Sequence, residues 1–171
     1  IVQMDAGWFT MKVRPADILE PVRAACQMAA PAAEEHQIEL QFPAAGTPAP
    51  PLPPLLIDPD RVEQAVLNLV QNAIRFADSA VSVRVENNPA LYRIVVDDDG
   101  PGLEPDDIPC LFEKFYQGRP RADRKHSGSG VGLAIVKGIM EVHGGTVTAS
   151  NHENASGARF VLVFPRKPLS R

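Results

Sequence analysis

Between residues 59 and 77 the apolar positions keep to one side of a helical wheel turned by about 100° per residue. Val62, Val66, Leu69, Val70 and Ala73 cover the broad side, and Arg61, Asn68, Asn72 and Arg75 fall in a narrow stripe nearly opposite. The pattern predicts an amphipathic helix over 59–77. A second helical period follows Asp17, through Ile18, Leu19, Val22, Cys26 and Ala29, and Pro31 is expected to kink or interrupt it. A third helix, entered from a glycine-spaced loop, reaches about His143 and stops at Gly144 and Gly145. Alternation with a period of two marks strands at Ile38, Leu40 and Phe42, and at 55–57, 81–86, 91–97, 147–150 and 159–164. Residues 1–13 read as the frayed end of an earlier helix, a stop at Gly7, and a short strand ended by Pro15. Strands that arrive in pairs, with helices between the pairs, predict a two-layer α/β sandwich: a mixed sheet with its helices packed on one face.

Two stretches break this regularity. Seven prolines and Gly46 lie between Pro43 and Pro59, both included, which predicts an exposed connection; a ligand for a proline-reading domain is the other reading. The stretch from 98 to 127 is too long for an ordinary connection and holds only a short helical pattern near 108–115, so it reads as a functional lid over about 103–127.

The bulk numbers narrow the picture. With 171 residues and 44% apolar content the chain supports one core, and a net charge of −4 with a pI near 5.5 argues against general nucleic-acid binding. Any anionic ligand must be held locally. Cys26 and Cys110 fit no metal or redox spacing and read as free thiols of a reducing, cytoplasmic compartment. No signal peptide and no apolar run of membrane-spanning length is present in the sequence. Starting in mid-pattern at Ile1, the chain is expected to be a piece of a longer protein.

Chemistry concentrates in three places. Gly128, Gly130 and Gly132 alternate ahead of the third helix, an arrangement that brings backbone close to a ligand and aims unpaired helix N–H groups at an anion. A mobile loop ahead of an ordinary core helix has the same spacing. Asn68 and Asn72 stand one turn apart among apolar neighbours although asparagine is a mediocre helix former, which points to a polar contact; solvated amides are the alternative. An amide oxygen is a suitable hard ligand for Mg2+. Finally, the strand over 91–97 runs into Asp97, Asp98 and Asp99, then Gly100, Pro101 and Gly102. A turn explains the last three, and Asp97 and Asp99 read as solvated ends. Asp98 alternates with Val96 and is expected on the buried side, where it needs a donor such as the exocyclic amine of a planar ligand.

Taken in order, these motifs resemble those of the catalytic, ATP-binding domain of bacterial sensor histidine kinases. NLVQNAIRF at 68–76 resembles the family's N box, DDGPG at 98–102 its first glycine box, FEKFY at 112–116 its F box and GSGVGL at 128–133 its second glycine box. The resemblance covers almost the whole chain. It implies a Bergerat-type sandwich, with a mixed, mainly antiparallel sheet and about three helices on one face, as in gyrase, heat-shock chaperone and mismatch-repair ATPases. Residues 1–13 then resemble the end of a dimerisation helix with its connecting strand, and 14–171 the ATP-binding domain.

Carried over by position, the resemblance implies that Asn72 holds Mg2+ with Asn68 in support, and that Asp98 accepts from the adenine amine beside Gly100 and Gly102. Gly128, Ser129, Gly130, Val131, Gly132 and Leu133 line the phosphates, and Phe115 and Tyr116 belong to the nucleotide site. Arg75 reaches toward phosphate, as do the lid cations Arg119, Arg121, Arg124 and Lys125. Related ATPases carry a water-activating glutamate where Asn68 stands, and an amide is no base, so the resemblance favours kinase over hydrolase, with Asn68 and Arg75 as the catalytic pair. Ala158 replaces a hydroxyl that often helps to fix adenine. None of His36, His126, His143 and His152 lies in the family's phosphoacceptor motif. The acceptor is therefore expected in a dimerisation domain of the same protein, homodimeric at full length, with a response regulator receiver domain downstream. A serine kinase of the anti-sigma type and a degenerate ATP-sensing module are the competing readings.

Overall fold

The computed structural model describes residues 10–42, 52–118 and 130–166. Its longest helix, α2 (Pro59–Phe76), is set by its own sequence: Asp58 Oδ1 accepts from the Arg61 N–H at 3.2 Å as N-cap, and Pro59 stands in the first turn, where no backbone donor is missed. Val62, Ala65, Val66, Leu69, Val70, Ala73 and Ile74 are buried along it, each large one worth roughly 1.5–3 kcal/mol in removal from water. Against α2 packs α1 (Leu19–Glu35), whose buried face of Val22, Ala25, Cys26, Ala29 and Ala33 is built of small side chains that allow a close approach. Of the two expected outcomes, kink or interruption, Pro31 does not produce an interruption: α1 runs on through it. It is exposed near the end of the helix, so what is lost is one backbone bond on the solvent side.

Five strands form the main sheet in the order β2 (Glu39–Gln41), β4 (Ala80–Asn87), β5 (Leu91–Asp98), β7 (Ala158–Pro165) and β6 (Thr146–Asn151). Only the β2–β4 pair is parallel. The register aligns Val83, Val96 and Phe160 across three strands, and Val85, Ile94 and Leu162 beside them, giving one continuous apolar face. On that face lie α2 and, over β6 and β7, α3 (Gly132–Val142), which completes the helical layer. The two-layer sandwich with three helices among the described residues agrees with the expectation from the sequence.

A separate two-stranded sheet joins β1 (Arg14–Ala16) to β3 (Leu55–Ile57). The strand expected to end before Pro15 instead contains it. Proline is tolerated there because a two-stranded ribbon has an open side with no ladder bond to lose. Asp58 gathers the elements around this ribbon: its Oδ2 accepts from the Lys12 N–H at 2.7 Å, and its own N–H donates to His143 Nε2 at 3.0 Å at the end of α3. Beyond Asp98 the chain leaves the sheet, and only a 3-10 turn, Ile108–Cys110, is regular before Gly118.

Candidate functional site

Alternation along β5 places Asp98 on the inner face, 5% exposed. Its Oδ1 accepts from the Gly100 N–H at 2.9 Å and the Ala158 N–H at 3.3 Å. Among the described residues no donor reaches Oδ2. Burial pushes the carboxyl above its usual range, and the two backbone donors oppose that shift. A carboxylate this far buried favours a ligand that brings it a donor. The loop that holds it is seated where a side chain does not fit: a Cβ at Gly100 would lie 2.1 Å from the carbonyl oxygen of Phe76, and one at Gly157 (φ +117°) 1.9 Å from that of Asp98. Gly102 makes its turn at φ +82°.

The flanking acids are not solvated ends. Asp99 accepts from the N–H groups of Asp78 and Ser79 at 2.9 Å each, from Ala80 N–H at 3.0 Å, and from the Ser79 hydroxyl. Partial burial pushes its carboxyl up, but these donors outweigh that and hold it down to about 2. Asp97, on the outer face, takes Arg159 Nε at 2.7 Å and Arg84 Nη1 at 2.5 Å, with His152 Nε2 at 3.7 Å. Neither set of partners was readable beforehand, because they come from the α2–β4 connection and from strands paired only in the folded sheet.

The polar stripe of α2 faces the start of α3. Asn68 Nδ2 donates to the carbonyl of Gly132 at 3.3 Å, and its amide oxygen accepts nothing among the described residues. Asn72, half-buried one turn on, makes no hydrogen bond among the described residues, and Arg75 is exposed and without an ion pair among them. Arg61 instead turns along the helix to Gln64 Oε1 at 3.0 Å. Among the described residues no side chain caps the head of α3, where the first N–H groups, from Gly132 and Leu133, suit an incoming acceptor. Gly130 (φ +69°) lies so close to the F box that a Cβ would come within 2.7 Å of the Tyr116 carbonyl oxygen.

Of the F box itself, Phe112 packs edge-on against Phe160 with ring centroids 6.3 Å apart, so it belongs to the core. The Tyr116 hydroxyl donates to Asp107 Oδ1 at 2.6 Å, and Asp107 is 7% exposed. Phe115, at φ +65°, points its ring outward, 75% exposed, while its N–H donates to the Gly130 carbonyl at 2.9 Å. Val131 and Leu133 flank Gly132 at the helix start. Arg119, Arg121, Arg124, Lys125, Gly128 and Ser129 lie outside the described residues, as does the far part of the expected lid. Asp98 at the sheet end, the α2 amides of Asn68 and Asn72, and Gly130 and Gly132 at the head of α3 make a donor and acceptor set that suits a nucleotide with a hard divalent cation.

Comparison with known proteins agrees with that chemistry. Residues 57–168 match the family described as histidine kinase-, DNA gyrase B-, and HSP90-like ATPase. The chain is 37% identical over 142 residues to the sensor histidine kinase CusS of Escherichia coli O157:H7, a match that covers 79% of this chain and 27% of CusS. Among solved structures, full-length ShkA in complex with AMPPNP superposes with a TM-score of 0.76 at 30% identity, covering 95% of this chain and 33% of ShkA. The nucleotide-free catalytic domain of the histidine kinase ThkA gives a TM-score of 0.76 at 26% identity, over 94% of this chain and 100% of that one.

Proposed function

The chain belongs to the histidine kinase-, DNA gyrase B- and HSP90-like ATPase family, and from that premise we propose that it is the ATP-binding catalytic domain of a sensor histidine kinase. It binds ATP with Mg2+ and presents the γ-phosphoryl group to a histidine in a dimerisation domain of the same protein. The observation that carries the reading is Asp98: a carboxylate 5% exposed, with Oδ1 taken by the loop and Oδ2 meeting no donor among the described residues. An adenine amine is a donor of the right kind for it. Ala158 lacks the hydroxyl of many relatives, yet its N–H still fixes the carboxylate, so the base side is kept by backbone alone.

When bound, the nucleotide supplies the transferable phosphoryl group and the cation neutralises phosphate charge. The chain's own residues then act mainly by position. The amide oxygen of Asn72, which makes no hydrogen bond among the described residues, is the ligand for Mg2+, and Asn68, held by the Gly132 carbonyl, keeps the start of α3 against α2. The glycine backbone from Gly128 to Gly132 receives phosphate, and Arg75 with the cations of 119–125 offsets its charge. Asn68 cannot take a proton from water, which favours transfer to a protein acceptor over hydrolysis. His36, His143 and His152, the histidines among the described residues, are engaged locally: His36 Nδ1 meets Ala32 O at 2.8 Å, His143 lies between Asp58 N–H and Ile139 O, and His152 stands beside Asp97. We therefore place the acceptor in the dimerisation domain, and a receiver domain after it, in a cytoplasmic and homodimeric full-length protein.

Equilibrium titration with ATP, with and without Mg2+, followed by transfer from labelled ATP to the dimerisation domain of the full-length protein, tests the reading. Binding with transfer to histidine supports it. Binding without transfer favours a nucleotide-sensing module, and stable phosphate on serine favours a serine kinase.

A further inference from the structure

Asn151, at the end of β6, brackets a single residue 48 positions away in sequence: its Oδ1 accepts from the Leu103 N–H at 2.6 Å and its Nδ2 donates to the Leu103 carbonyl at 2.8 Å. One planar amide thus satisfies both backbone groups of one residue, replacing a pair of strand ladder bonds. The preceding residue is shaped for this approach. Gly102 is at φ +82°, and a Cβ there would lie 2.7 Å from Asn151 Oδ1. The second glycine of the box is therefore where the amide needs room.

Leu103 is the root of the segment that returns to α3. Its middle is anchored by Phe112 on Phe160 and tightened by the Tyr116 hydroxyl on Asp107. At its far side the Phe115 N–H holds the Gly130 carbonyl, and two residues on the Gly132 carbonyl receives Asn68. A chain of contacts therefore runs from the β6 end to the backbone that opens α3. Asp98 takes its bonds from the backbone of Gly100 and of Ala158, the ladder partner of Asn151, and none from the Asn151 side chain.

We propose that Asn151 is a positioning residue for the triphosphate: by fixing where the segment leaves the sheet at Leu103, it sets the placement of Gly130 and the head of α3 without touching the nucleotide. The proposal rests on the nucleotide reading of the site and adds to it a dependence on the β6 end.

The test compares Asn151→Ala and Asn151→Asp with the wild type in affinity for ATP with Mg2+, in affinity for adenosine, and in hydrogen exchange of the Leu103 amide without ligand. In Asn151→Ala the affinity for ATP should fall roughly three- to tenfold, the scale of one net hydrogen bond, while that for adenosine stays within about twofold and Leu103 exchanges at least about tenfold faster. Asn151→Asp keeps the acceptor for the Leu103 N–H and loses the donor to its carbonyl, so it should fall between, and it carries the comparison should the alanine variant fail to fold. Equal losses for ATP and adenosine, an unchanged ATP affinity, or unchanged Leu103 exchange each overturn the proposal alone. A wild-type protein that binds neither ligand overturns the nucleotide reading and this proposal with it.

Discussion

Asp97, Asp98 and Asp99 follow one another at the end of β5, and the two-residue pleat hands each a different neighbourhood: arginines on the outer face, a buried pocket on the inner face, and a loop of backbone donors at the strand end. Only Asp98 is left with an oxygen that no part of the described chain uses. Asp98→Asn should keep the loop, because an amide oxygen still accepts from Gly100 and Ala158, but it turns an N–H group toward the adenine amine. ATP affinity should fall about ten- to hundredfold, the scale of a charge-assisted hydrogen bond. Calorimetry beside circular dichroism measures this, and full affinity in a folded variant would contradict the assignment. Asp99 makes a prediction of opposite character. Its folded carboxyl is held down to about 2, below the ordinary range near 4, so it contributes stability that is present above the ordinary value and is lost as pH falls through the window from about 4 to about 2. The difference in thermal midpoint between the wild type and Asp99→Asn should therefore shrink across that window, and a constant difference would show that the charge is not what the loop holds. For Asn72, replacement by Ala should abolish the Mg2+ dependence of binding of a non-hydrolysable ATP analogue while leaving metal-free binding little changed. Titrations with and without the ion decide it.

Glycine separates what is required from what is permitted at the level of elements. Gly100 sits where a Cβ would meet the Phe76 carbonyl oxygen at 2.1 Å, so Gly100→Ala must push the loop off the end of α2. A loss of about 1–3 kcal/mol is expected in chemical denaturation, together with weaker ATP binding. Gly138, inside α3, has nothing within 4 Å of a built Cβ, and Gly138→Ala should raise stability by about 0.4–1 kcal/mol. The same substitution thus carries opposite signs at two glycines of one fold, and a destabilised Gly138→Ala would refute the placement of α3. This contrast also marks how far the sequence is legible. The wheel of α2 and the alternation of β5 depend on nearest neighbours, so they disclosed the stripe of Asn68 and Asn72 and the inward side of Asp98. That α1 continues through Pro31 was not legible, because the cost of the proline depends on which side of the helix meets water, a tertiary fact. Asn151 carried no local signal at all: its partner Leu103 is 48 residues away, and they meet only because β6 lies beside β7 and β7 beside β5. The donors that hold Asp99 are of the same kind, since residues 78–80 become its neighbours only once β4 pairs with β5.

For the molecule as a whole the net charge of −4 opposes a polyanionic ligand, so the site has to draw on helix N–H groups, a divalent cation and the few cations near it rather than on a basic surface. Such a site binds without needing an acceptor. Phosphoryl transfer, in contrast, needs a nucleophile held in line, and the described histidines are committed to Ala32, Asp58, Ile139 and Asp97. On the proposed reading Asn68 offers water no base, because an amide cannot take a proton. The chain spans 27% of the length of CusS. We expect the isolated chain to bind Mg2+ and ATP, to leave itself unlabelled, and to turn over ATP well below about 1 per second, the low end of typical enzyme rates. Mixed with the dimerisation domain of its full-length protein, it should place acid-labile phosphate on that domain's histidine. The rate should be lower than in the intact protein and should rise with the concentration of either partner, because tethering otherwise supplies effective concentration. Labelled ATP with acid and alkali treatment of the product reads this directly. Acid-stable phosphate on the chain's own serine or threonine, or rapid release of inorganic phosphate by the chain alone, would instead assign the same nucleotide site to a serine kinase or an ATPase.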